Sequence, residues 1–343
     1  MATLSALLPL KVRGRHYGDN LARLDLLFSS LVHYAQPGLL DELIVVIRSD
    51  ERDLVERFLG NWSSRLPVRT VVEDDHFPAF RRYTKPWQVR PWQRQQIIKL
   101  NAPAFTDAPF VLVLDPDVMA VKPLTRELLL PGGRAVVEAE SRSVHRQWWI
   151  DSAGVLDVDP GLERRGMGVT PAILSSEIIA SVQQRVAAVS AKPWMDTLLT
   201  SYCDWTEYTL YLLEAERSGL LERRHLWGDD PAAPAPLQLS PEISIWDAER
   251  ASRANIEHLF TTDDPGLFAV LQSSIGLPAS EVVAAAREHF EVRVSPAEVV
   301  EVADSGSKLK ERVSIASRLA AQRLYRLGRS WRAWRADRRR RAK

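Results

Sequence analysis

Apolar runs alternate with amphipathic stretches through the first third of the chain. Residues 4–12 read as a first strand and 13–20 as a polar loop. Asp19 or Asn20 can cap a helix that runs to about His33, with Leu21, Leu24, Leu27, Leu31 and Val32 on one side at three- and four-residue steps. Residues 43–47 form a second buried strand ending in Arg48-Ser49-Asp50-Glu51, residues 53–59 a helix, and 68–72 a third strand. Strand, helix, strand, helix in this order predicts an α/β fold, a Rossmann-like and mostly parallel sheet flanked by helices. Ligands of such sheets sit beyond the carboxyl ends of the strands. Tyr17, Asp19, Asp50, Asp74 and Asp75 fall there, and Tyr17, Asp19 and Asp50 are candidates for ligand contact.

The most informative run is Phe110-Val-Leu-Val-Leu-Asp-Pro-Asp-Val-Met119. Five apolar residues read as a strand buried on both faces. The run then breaks into Asp115 and Asp117, which in extended chain point the same way. Pro116 cannot donate to a ladder and helps stop the strand where the charges begin. Two carboxylates at the end of a core strand are costly unless a cation takes up their charge. Carboxylates supplemented by substrate phosphates are a usual way to hold Mg²⁺ or Mn²⁺. The spacing alone is weak: Asp157-Val-Asp159 repeats it without a long apolar run before it. The bland alternative is a surface turn.

Ahead of this strand, Trp92-Gln-Arg-Gln-Gln-Ile-Ile-Lys-Leu100 reads as a helix. Trp92, Gln96 and Lys99, or Gln95 and Lys99, share a face of it. Gln95 and Lys99 are candidates to meet a substrate phosphate or hydroxyl, against the alternative of solvated surface residues. The second half carries further residues suited to ligand contact. Residues 134–140 read as a strand, and 145–158 include Trp148 and Trp149. Gly166-Met-Gly-Val-Thr170 reads as a flexible loop able to close over a ligand. Trp149, Thr170 and Trp205 are candidate ligand contacts, although most tryptophans pack in cores. Residues 203–213 predict a helix with Asp204 and Glu207 one turn apart. Glu207, with Asp204 behind it, is the candidate proton acceptor for an attacking hydroxyl. The alternative is a capping or solvated acidic pair.

The apolar strand, Asp115-Pro-Asp117 and the Trp-x-x-Gln-Gln-x-x-Lys-Leu helix together resemble nucleotide-sugar glycosyltransferases of the GT-A fold. The Lys-Leu helix followed by Leu-Asp-x-Asp is similar to the glycogenin and galactinol synthase type. A closer likeness is to a poorly characterised group of actinobacterial GT-A-like proteins. Met167-Gly-Val-Thr-Pro171, Trp205-Thr-Glu-Tyr208 and Phe268-Ala-Val-Leu-Gln-Ser273 match its pattern, so the resemblance spans about residues 4–290. It implies a UDP- or GDP-sugar donor, a hydroxyl acceptor and Mn²⁺ or Mg²⁺. Asp117 would bind the metal directly, and Asp115 the metal or the donor's ribose. The glycogenin type supplies a further ligand from a late His-x-x-Gly-x-Lys-Pro motif, which is not intact here. His225-Leu-Trp-Gly228 echoes it, and His225 and His258 are the candidate metal ligands, against surface or packing roles. Glu207 as base favours inversion, whereas the Lys-Leu helix leans towards retention. A phosphohydrolase of the haloacid-dehalogenase type also places Asp-x-Asp after an apolar strand. Its motif usually opens the domain and continues to Thr, where this chain has two strand–helix units first and Met119. A non-catalytic sugar- or nucleotide-binding relative is the other alternative.

Composition changes the picture at one end. With 45 Lys and Arg against 44 Asp and Glu, the 343 residues carry a net charge of +1. Residues 308–343 hold 14 of the basic residues and only two acids, a net +12, so the remainder stands at −11. Ala316, Leu319, Ala320, Leu324, Leu327, Trp331 and Trp334 recur at helical steps, predicting a basic amphipathic C-terminal helix that lies on an anionic membrane surface. Nucleic acid is not expected, because the apolar stripe would then have no purpose. A lipid-linked or polymeric cell-envelope acceptor fits such a tail. The expected organisation is one domain over 1–305, with a donor half to about 133 and an acceptor half after it, and the tail from 306. Cys203 is the single cysteine, and no apolar run approaches a membrane span, so a cytoplasmic protein peripheral to the inner membrane face is expected.

Overall fold

The computed structural model describes residues 3–13, 19–83, 91–201, 203–230, 238–240, 244–264, 266–275 and 277–294. Tyr17 and the residues from 306 on, where a basic C-terminal helix was expected, lie outside them. The α/β architecture is as the pattern predicted. Strands β1 (Leu4–Pro9), β2 (Glu42–Ile47), β3 (Val68–Val72) and β4 (Phe110–Val113) are parallel, in the order β3-β2-β1-β4. Asn20–Tyr34 connects β1 to β2, and Arg52–Gly60 connects β2 to β3. Among the described residues no helix is long and apolar enough to cross a membrane.

Eleven strands are described in all, and those after β4 are short. They are β5 (Val118–Ala120), β6 (Ala135–Val137), β7 (Ala139–Ser141), β8 (Arg165–Met167), β9 (Ala172–Ser175), β10 (His225–Trp227) and β11 (Phe268–Val270). β9 closes the main sheet, antiparallel to β4. Residues 134–140, expected as one strand, are two: β6 pairs with β10 and β7 with β8, in different sheets. The expected loop at 166–170 is partly strand β8. Ile245 and Leu271 form an isolated parallel bridge.

Period-two alternation sorts the core. Leu7 and Val111 and Val113 face one side, where Pro91–Lys99, Ser176–Ser190 and Glu207–Ser218 pack. Leu4, Ala6, Leu8, Phe110 and Leu112 face the other, against Asn20–Tyr34 and Arg52–Gly60. A third cluster lies under Arg253–Thr261 and Ala279–Ala286. Asp115 continues the parity of Val111 and Val113, and so turns towards the helices that carry Lys99 and Glu207.

Candidate active site

β4 stops at Val113, and Asp115-Pro116-Asp117 forms a turn in which the Val118 N–H donates to the Asp115 carbonyl at 3.1 Å. The segment after β11 clamps the second carboxylate. Leu271 N–H donates to the Asp117 carbonyl at 2.8 Å, and Ser273 N–H donates to its Oδ2 at 2.8 Å. Burial first, then the neighbouring Asp115 charge, raise the Asp117 carboxyl above its usual range, against the pull of Ser273 and Arg23.

Lys99 ends its helix and Glu207 begins another. Thr206 caps that second helix: its side chain accepts from Thr209 N–H at 3.0 Å, while Thr209 Oγ1 accepts from Thr206 N–H at 3.2 Å. The Glu207 N–H donates to Gln96 Oε1 at 3.0 Å, tying the two helices together. Lys99 Nζ lies 3.1 Å from Glu207 Oε1 and 3.2 Å from Asp115 Oδ1. It also donates to Thr170 Oγ1 at 3.1 Å and Tyr208 OH at 3.4 Å. Burial alone would lower the Lys99 ammonium, but Asp115, Tyr208 and Glu207 outweigh it and hold it well above its usual value. Lys99 is therefore charged. Burial raises Glu207, and Lys99 opposes that rise. Both Glu207 oxygens are buried without an aligned hydrogen bond, so its tie to Lys99 is one of charge.

These groups line one cavity of about 390 Å³. Asp115, Asp117, Lys99, Gln95, Thr170 and Glu207 are thus brought together as sequence candidates. Asn20, Gln96, Tyr208, Gln272 and Ser273 join them, as do Trp92, Trp148 and Trp246. Asp115 Oδ1 is buried without an aligned hydrogen bond, and Asp117 is a half-buried carboxylate whose charge is disfavoured. Two such groups on one turn fit a hard divalent cation that completes its shell with water and substrate phosphates. Among the described residues no group of three His, Cys, Asp or Glu is placed to hold a metal unaided.

Other candidates stand elsewhere. His225 is buried in β10, with Nε2 2.6 Å from Tyr211 OH and Nδ1 3.1 Å from the Ala135 carbonyl, and burial lowers its ring to about 4. Both nitrogens are engaged, so a neutral packing histidine replaces the expected ligand. His258 is exposed on Arg253–Thr261, away from the cavity lining. Asp204 precedes its expected helix, because the Thr206 cap starts that helix at Glu207; its N–H donates to Asp151 Oδ2 at 2.9 Å. Trp205 is fully buried and donates to Ser201 Oγ at 2.8 Å. Trp149 lies under Arg142, which sits 4.4 Å above its ring, and Gly166 leaves the space its indole fills. Neither tryptophan lines the cavity. Asp19 sits at the start of Asn20–Tyr34 and accepts from Ala279 N–H at 3.2 Å. Asp50 is an exposed partner of Arg48 at 2.9 Å. The second Asp-x-Asp is a helix end, with Asp157 left-handed at φ 54°.

No curated protein matches the chain. Among solved structures it is similar to mouse xyloside xylosyltransferase 1 in its apo form, at 14% identity and a TM-score of 0.46, over 80% of this chain and 99% of that one. It is also similar to the galactosyltransferase LgtC in complex with donor and acceptor sugar analogs, at 13% identity and a TM-score of 0.46, over 86% of this chain and 98% of that one. A family model matches residues 1–293, and the chain belongs to that family, the family of unknown function DUF6492.

Proposed function

We propose that the chain is a GT-A-type glycosyltransferase that moves a sugar from a nucleoside diphosphate to a hydroxyl acceptor. The observation that carries this reading is the meeting of Asp115 and Asp117 with the buried Lys99–Glu207 pair in one cavity. Asp117 and Asp115 would hold Mg²⁺ or Mn²⁺. Such an ion, when bound, neutralises charge on the departing nucleoside diphosphate. Lys99 stays charged and holds Asp115 and Glu207 in place from below. Glu207 takes the proton of the acceptor hydroxyl, since burial strengthens it as a base while Lys99 keeps the carboxylate form accessible. Gln95 and Thr170 supply polar contacts on the cavity wall. The basic segment at 308–343 is included in the proposal as a contact with an anionic membrane surface, suited to a lipid-linked or polymeric acceptor.

A thermal-shift screen of UDP- and GDP-sugars with and without Mn²⁺ tests the reading, because a ligand that binds only the native state raises apparent stability. Metal-dependent stabilisation by at least one donor, followed by its turnover, is expected. Turnover of a phosphate ester in place of any nucleotide-sugar would favour the phosphohydrolase, and donor binding without turnover a non-catalytic relative.

A further inference from the structure

Two partly exposed tryptophans stand together at the cavity, while Trp62, Trp149 and Trp205 are fully buried in the core. Trp92 is near the start of the Pro91–Lys99 helix, two turns from Lys99, or ~10 Å along the axis. Gln95 and Gln96 lie between them on the cavity wall, so this helix presents an aromatic ring, then amides, then a cation, from one end to the other. Trp148, from Arg146–Leu156, meets Trp92 with ring centroids 5.9 Å apart at 40°. His145 stacks on Trp148 at 3.8 Å and 14°, which fixes the indole's angle. Its neighbour Trp149 is the one the core uses, at 1% exposure. A large ring left partly in water beside amides and hydroxyls is placed for a ligand with an apolar face and a polar rim.

We propose that Trp92 and Trp148 form a saccharide subsite on the acceptor side of the cavity, an inference that rests on the glycosyl transfer argued above. A pyranose offers C–H groups on its face and hydroxyls around its edge. The face would lie on the Trp148 ring, and the hydroxyls would reach Gln95, Thr170 and Glu207. The two helices that build the platform contribute neither metal carboxylate, which separates it from the diphosphate end at Asp117 and Ser273. The acceptor is accordingly a sugar hydroxyl of a glycan.

The test titrates the full-length chain, with Mn²⁺ and UDP or GDP present, with disaccharides built from glucose, galactose, mannose and N-acetylglucosamine, read by tryptophan fluorescence and calorimetry. At least one should bind. Trp148→Ala should weaken it about tenfold or more, the scale of one lost aromatic contact. Trp148→Phe, which keeps a stacking face, should retain most of the affinity, and the affinity for UDP or GDP with Mn²⁺ should hold in both variants. A chain that binds UDP or GDP with Mn²⁺ but no disaccharide overturns the subsite alone, as does unchanged disaccharide affinity in Trp148→Ala. Loss of nucleotide affinity in that variant would make the platform a nucleobase stack and overturn it too. Failure of the wild-type chain to bind either ligand overturns the glycosyl-transfer reading itself, and the subsite with it.

Discussion

Lys99 Nζ and Glu207 Oε1 meet at 3.1 Å with 2% and 0% of their side chains exposed, and Asp115 shares the same ammonium. One cation therefore serves two carboxylates, and Asp117 adds a third at the edge of the group. The cavity is left with an excess of negative charge that a substrate-borne cation can meet. Removing one partner of a buried pair leaves the other charge uncompensated, which costs more than the pair itself contributes.

Lys99→Met should destabilise the fold by ~3–5 kcal/mol, the range for breaking a buried ion pair. Glu207→Gln in the same chain should recover part of that loss, because the deepest carboxylate is then neutral. Urea denaturation with an unchanged slope measures both. A Lys99→Met midpoint equal to that of the wild type would show that the ammonium does not compensate the carboxylates.

Asp117→Asn should keep the fold, since the native environment already disfavours the charged carboxylate. It should abolish metal-dependent binding of nucleoside diphosphate. Calorimetry with UDP or GDP and Mn²⁺ decides this, and unchanged affinity would remove Asp117 from the metal site.

Glu138 predicts a pH dependence. The group follows β6, accepts from Ser240 N–H at 2.8 Å, and is raised from 4.5 to about 7, first by burial and then by Glu140, with Asp264 adding to the rise. A raised carboxyl stabilises the fold in its protonated form. That contribution is fully present below pH 4.5 and is lost as pH rises through about 7. The shift sets its size at up to about 3 kcal/mol. Glu138→Gln, whose amide oxygen can still accept from Ser240, should flatten the stability profile over that window. Parallel profiles for the two chains would show that Glu138 carries none of this dependence.

The central sheet was legible because its strands are unbroken apolar runs and its helices show three- and four-residue periodicity. β3 was bounded to the residue, and the Asn20–Tyr34 helix to within one. Later elements are three- and four-residue strands, too short to show a period, which is why 134–140 read as one strand instead of two. Asp115 and Asp117 stood out because charge follows a buried strand. Lys99 carried a helical face and its place in the Lys-Leu helix as signals, but its burial depends on Glu207 and Thr170 from distant parts of the chain. Trp148 and Trp149 are adjacent, so composition could not say which one faces the core. A helix turns ~100° per residue, and packing against Arg142 selects Trp149. The start at Glu207 was written in Thr206 and Thr209, but a capping box with Thr in place of Glu or Gln at its third position gives a weaker sequence signal. Gln272 and Ser273 stood in the sequence only inside the Phe268–Ser273 segment of the resemblance, with no role assigned, because Ser273 contributes a backbone amide that any residue but proline supplies.

Glu207 carries the last prediction. Its carboxylate is fully buried, lines the cavity and has no aligned hydrogen bond, so its capacity to accept one is unmet. Glu207→Gln should lower kcat by roughly 10²–10⁴-fold, the range for loss of a general base, with nucleoside diphosphate affinity nearly unchanged. The pH profile separates chemistry from scaffolding. A base must be ionised to accept a proton, and burial raises this carboxyl above its ordinary 4.5. The wild-type rate should therefore fall on the acid side with a midpoint above that value, and the Gln variant should lose that limb along with the rate. A purely structural role would give a loss below about tenfold, with the acid limb still present in the variant. That pair of results would leave Glu207 as the anchor of Lys99 and move the proton transfer to another group.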